Sequence, residues 1–90
     1  MKQSVGMIET IGLTSAWAAA DMMIKFAYVD VIKVERSGSG YVTVVVQGDV
    51  ESVRIALEVG ADAAGSRGEL IAVHLLSKPD AGLDKLLRNE

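Results

Sequence analysis

The side chains able to do chemistry in this sequence are few and scattered. His74, the one histidine, could serve as a general base or a metal ligand. It lies mid-strand in the apolar run ELIAVHLLS, where a lone imidazole is far more often a hydrogen-bonded packing residue. No triad or metal partner stands near it in sequence. Glu9 could act as an acid, but no second carboxylate is placed to work with it, so a structural role is favoured. There is no cysteine, which removes disulfides, thiolate nucleophiles, cysteine zinc sites and cysteine-ligated iron–sulfur clusters together. No metal or cofactor is expected. The remaining candidate is Ser37-Gly38-Ser39-Gly40, a segment rich in residues that tolerate positive φ. By composition alone it reads as a hairpin turn.

The elements that must position these residues are bounded by composition. The chain has 90 residues, 50% apolar and 4% aromatic, with 11 Ala and 12 Val. That length allows one domain over 1–90, and the apolar fraction excludes a disordered tail. So small a domain buries only about 60–70% of the surface its unfolded chain exposes, which makes self-association the first expectation. Nine Lys+Arg against twelve Asp+Glu give a net charge of −3, and the scattered basic residues argue against nucleic acid as a partner. A sheet of the RNA-reading type would also need aromatics on its middle strands, where Tyr41 stands alone. The N-terminus lacks an apolar stretch long enough for a signal peptide, and no segment approaches a membrane span. A soluble, intracellular protein with no membrane partner is expected.

Hydrophobic periodicity sets out the order. Residues 5–10 read as a short strand stopping at Gly12. From Leu13 the period changes: Leu13, Ala16, Trp17, Ala20, Ile24, Ala27 and Tyr28 form one apolar stripe on a helix of about four turns. Trp17 on that stripe is expected to fill the core or a subunit interface. Asp21 and Lys25 sit four apart on the other side, in the orientation that favours a helical ion pair. Residues 30–36 and 41–47 alternate and are β-branched, and they flank Ser37–Gly40 as a hairpin. Asp49 is a natural N-cap for a second helix over 50–66, whose stripe of Val53, Ala56, Leu57, Gly60, Ala61 and Ala64 is small enough for close packing. Gly68 breaks it. Residues 69–77 read as a fourth strand, nearly apolar on both faces, ended by Pro79, and DAGLDKLLRNE as a short amphipathic C-terminal helix.

The order βαββαβ predicts an α+β, ferredoxin-like fold, a four-stranded antiparallel sheet with both helices on one face. The other face is then expected to lie uncovered in the monomer. Strands three and four carry apolar side chains toward both faces, so that face, or the strand ends, should meet another copy.

Gly6-Met7-Ile8-Glu9-Thr10 followed by Gly12-Leu13, then Ala19-Ala20-Asp21, Gly38-Ser39-Gly40 with Val42-Thr43-Val44, Gln47-Gly48-Asp49-Val50, and Gly68-Glu69 with Ala72-Val73-His74 run in this order without large insertion. Over about 6–87 the chain resembles the hexameric bacterial microcompartment shell proteins. The resemblance implies a non-catalytic cyclic homohexamer, a flat tile that meets other tiles and other shell proteins edge to edge in the cytoplasm to enclose enzymes. It matches Ser37, Gly38, Ser39 and Gly40 to the loop around a central pore, with Ser39 facing the opening, and so implies passage of small polar metabolites. It matches Lys25 to the lysine along the tile edge, and Lys78-Pro79 to an Arg-Pro pair there. Tyr28 stands at that edge where a small polar residue is common, Asp80 where His often follows the proline, and Ser37 where an aliphatic residue is usual. Lys78 replaces a planar multi-donor group with a point charge.

Two other functions fit the same fold. A regulatory module could bind a small molecule with the 37–40 loop at a dimer or trimer interface. A cofactor-free isomerase or lyase would need His74 as its base, which is the weaker reading without an orienting group in view.

Overall fold

The computed structural model describes residues 3–67 and 69–76. The expectations attached to Gly68, Lys78, Pro79, Asp80 and the C-terminal helix lie outside those residues. The described elements are β1 (Ser4–Ile11), α1 (Leu13–Phe26), β2 (Asp30–Arg36), β3 (Tyr41–Gly48), α2 (Val50–Ser66) and β4 (Leu70–Leu76). They form one sheet in the order β2-β3-β1-β4, with every neighbouring pair antiparallel, as the βαββαβ order predicts. The first strand runs one residue further at each end than its apolar pattern shows.

The core lies between the helices and one face of the sheet. Ile8 of β1 and Val42, Val44 and Val46 of β3 meet Ala16, Ala19, Ala20 and Met23 of α1 and Val53, Ala56, Leu57 and Ala64 of α2. Close packing of the small stripe has a specific cause at Gly60. A Cβ there would stand 2.7 Å from Ile8 Cδ1 and 2.8 Å from Met23 Cγ, so the missing side chain lets α2 settle onto both α1 and β1. The N-terminus of α2 is closed by Asp49, whose carboxylate accepts from the Ser52 N–H and hydroxyl at 2.9 Å each.

The stripe on α1 needs correcting. Its buried row is Ser15, Ala16, Ala19, Ala20 and Met23, whereas Trp17 is 63% exposed and Ile24 58%. The helix has two apolar faces. The face carrying Ser15, the alanines and Met23 turns inward while Trp17 and Ile24 turn outward, so Trp17 is not core filler in the monomer.

The second sheet face is also less bare than expected. Val45 stands on the side away from the helices, opposite Met7 on β1 and Lys33 on β2, yet is only 2% exposed. Lys33 lies along the sheet with its side chain 18% exposed and its ammonium 3.0 Å from Glu35. Its aliphatic stem covers apolar surface while the charged end stays wet. Exposed large apolar side chains remain on that face at Ile11 and Tyr41, and along the edge strand β4 at Leu70, Ile71, Val73 and Leu76.

Candidate functional site

Residues 37–40 make a tight hairpin loop held by its own backbone. Ser37 N–H donates to the Tyr41 carbonyl at 2.9 Å, and Gly40 N–H to the Ser37 carbonyl at 3.2 Å. The Ser37 hydroxyl accepts a long bond from Ser39 N–H at 3.4 Å. Gly40 has φ +86°, a left-handed conformation that suits glycine. Ser37, Gly38, Ser39 and Gly40 are all exposed, so the loop presents two hydroxyls and backbone edges with no ionisable group among the four.

Two further bonds gather three chain connections at this end of the sheet. Gly12 N–H donates to the Gly40 carbonyl at 2.9 Å, and Ile11 N–H to the Glu69 carbonyl at 3.0 Å. A hollow of about 160 Å³ lies beneath, lined by Gly12, Leu13, Arg36, Ser37, Gly40 and Tyr41. The first turn of α1 begins here with no acidic residue and no side-chain cap. The positive end of its dipole and Arg36 thus lie at the loop end, as do the acidic residues Glu35 and Glu69.

Lys25 and Tyr28 lie at the far end. α1 has 14 residues, which at 1.5 Å per residue sets its two termini about 20 Å apart. Lys25 Nζ stands 3.2 Å from Asp21 Oδ2, the ion pair that the four-residue spacing predicts. Both partners are more than half exposed, so the pair adds little to stability. Tyr28 is 92% exposed. The strand ends opposite the hairpin loop gather near it: Asp30 pairs with Gln47, Val5 with Gln47, and Leu76 with Val5. The loop residues and the Lys25–Tyr28 corner thus occupy opposite ends of the molecule. Lys78 and Pro79 lie outside the described residues.

One contact escapes sequence reading. His74 Nε2 stands 3.5 Å from Glu9 Oε1 on the sheet face away from the helices. Their proximity depends on the β1–β4 register, where Met7 faces His74 and Glu9 faces Ala72, and the pairing shifts just beyond Glu9. Only the antiparallel neighbouring of β1 and β4 could have signalled it. Both side chains are substantially exposed, and the contact is an ion pair only when the imidazole is protonated. The sequence predicts a hydrogen-bonded packing residue, and the structure has an exposed His74 beside Glu9. Among the described residues no three metal-ligating side chains gather, and no helix is long and apolar enough to cross a membrane.

The chain is similar to several known proteins. Residues 4–79 match the BMC domain family. The bacterial microcompartment shell protein PduA of Citrobacter freundii is 46% identical over 96% of this chain and 92% of its own length. The carboxysome shell protein CcmK2 of Synechococcus elongatus is 40% identical over 97% and 87%. The bacterial microcompartment shell protein EutM of Escherichia coli is 39% identical over 93% and 87%. A crystal structure of a microcompartment protein from Desulfitobacterium hafniense superposes with a TM-score of 0.86 at 23% identity, covering 98% of this chain, which spans 48% of that protein's length.

Proposed function

Because this chain belongs to the BMC domain family, as a structural shell subunit of a bacterial microcompartment, we propose that it works as a cyclic homohexamer whose 37–40 loops ring a central pore. The observation that carries this reading is the separation of the two ends of α1. The Gly12–Gly40 hydrogen bond ties the loop to one terminus, and Lys25 and Tyr28 stand at the other. A ring subunit that must present one surface to an axis and another to neighbouring rings needs that division.

Six copies of Ser37, Gly38, Ser39 and Gly40 around an axis form a polar collar without bulky side chains. Its hydroxyls and backbone edges favour small polar or anionic metabolites by hydrogen bonding, and larger apolar ones find no contact. Lys25, Tyr28, Lys78 and Pro79 then serve the seam between hexamers. The same tile would meet other shell proteins and enclose enzymes in the cytoplasm. Its work is enclosure and passage, and it requires no cofactor.

The regulatory-module reading is less well supported. The hollow beneath the loop, about 160 Å³, is smaller than the roughly 300–1,000 Å³ of ordinary ligand pockets. An enzyme using His74 would have to work from an exposed sheet face, with the Glu9 carboxylate beside it.

Native mass spectrometry tests the assembly: a hexamer is expected, and a dimer or trimer at high concentration overturns the reading. For the pore, Ser39→Phe in intact compartments should slow metabolite exchange while the hexamer mass stays unchanged. Unaltered exchange would remove this loop from the pathway.

A further inference from the structure

A side-chain cluster that the shell reading leaves unused lies on the sheet face away from the helices. Met7 and Glu9 of β1 and His74 of β4 point to that face, because their chain neighbours Ile8 and Leu75 pack into the core. Met7 stands directly opposite His74, and Glu9 one pair further along. All three line one shallow hollow of about 490 Å³. The Lys33 ammonium, which would repel a cation, belongs to β2, separated from β1 by β3, and is paired with Glu35.

The spacing of the two polar groups is informative. His74 Nε2 and Glu9 Oε1 are 3.5 Å apart, longer than the roughly 2.7–3.2 Å of a well-formed N–H···O bond. Two donors on one tetrahedral ion, each at about 2.0–2.1 Å, stand roughly 3.3–3.4 Å from one another. Two donors at right angles on an octahedral ion with similar bonds stand only about 2.9 Å apart. The observed separation is therefore close to that of neighbouring ligands on a tetrahedral cation.

We propose that Glu9 and His74 bind a divalent cation of the zinc type between them. An imidazole nitrogen beside a carboxylate suits zinc better than magnesium or calcium, which take oxygen donors. The Met7 side chain bounds the site, and water fills the remaining positions, since among the described residues no third His, Cys, Asp or Glu gathers there. Such a site exchanges its ion readily and serves as a clip. It joins β1 to β4, the edge strand that has a neighbour on one side only. An ion that binds this pairing and not the unfolded chain stabilises it by mass action.

Untagged full-length protein titrated with Zn²⁺ by calorimetry tests the site. One ion per chain is expected, and Glu9→Gln and His74→Gln should each weaken binding at least tenfold, because even an outer-shell partner of a metal is worth about 10–100-fold. Zn²⁺ should raise the Tm of the parent and leave both variants unmoved, and Mg²⁺ should move none of them. Melts without metal show that the variants are folded. His74 is the chain's one histidine, so its imidazole resonances also report binding in the unaltered protein, where Zn²⁺ should displace them and Mg²⁺ should not. Unmoved imidazole resonances, variants that bind Zn²⁺ as the parent does, or an equal response to Mg²⁺ overturn the proposal. None of these readouts depends on the hexamer.

Discussion

The backbone N–H of Gly12 donates to the carbonyl of Gly40 at 2.9 Å, joining the residue that starts α1 to the residue that closes the β2–β3 hairpin. These positions are 28 apart in the chain, and neither side of the bond involves a side chain. The bond makes the exposed loop part of the helix–sheet framework. The position of Ser39 is therefore set by the core and not by the loop alone.

Gly40→Ala should destabilise the protein, because its φ of +86° costs an L-residue about 1–2 kcal/mol although nothing lies within 4 Å of the added methyl. Gly38 is equally open and has no positive φ. Gly38→Ala is expected to be neutral or to stabilise by a few tenths of a kcal/mol through the unfolded chain. Urea denaturation of the pair separates backbone strain from loop crowding.

At Gly48 a methyl would meet backbone, not a flexible chain end: its Cβ would stand 2.8 Å from the Tyr28 carbonyl oxygen. Gly48→Ala should cost on the order of 1–3 kcal/mol. It should also displace the 28–30 segment, which amide chemical shifts of Val29 and Asp30 would report. Unchanged shifts would mean that strain is absorbed within β3.

The carboxyl of Asp49 is held below the usual carboxylate range, first by the Ser52 backbone N–H and then by the Ser52 hydroxyl. A folded value lower than the unfolded one means the cap contributes above the unfolded carboxylate range, about 3.9, and loses its contribution as pH falls through the folded value. The Tm gap between the parent and Asp49→Ala should therefore be constant from pH 6 to 7 and narrow below about pH 4. Circular dichroism melts across that range check it.

The Glu9–His74 contact should be worth little at neutral pH. A double-mutant cycle with Glu9→Gln and His74→Gln is expected to give a coupling below about 1 kcal/mol, as for other exposed pairs. A substantially larger value would point to a more enclosed pair in the assembled protein.

Much of the fold was readable from residue types because local and global preferences agree. Asp49 marks the start of α2, the valine alternation of 41–47 marks β3, and Ser37–Gly40 separates two alternating runs that read as a hairpin. Lys25 found Asp21 because a helix brings fourth neighbours together whatever surrounds it. The failures occurred where the partner surface decides. Trp17 and Ile24 fit the apolar period of α1 as well as Ala16 and Ala20 do, but the face that packs against α2 is the one carrying the alanines and Met23, which lies beside Gly60.

The sequence by itself determined the order of elements, the capping of α2 and the hairpin, since these follow from period, turn chemistry and composition. Tertiary structure alone decided which face of α1 turns inward, that β1 and β4 bring Glu9 to His74, and that the 37–40 loop is tied to the end of α1 opposite Lys25 and Tyr28. Those relationships depend on strand register and on the volume left between packed layers, and neither quantity is stored in any one segment of the chain.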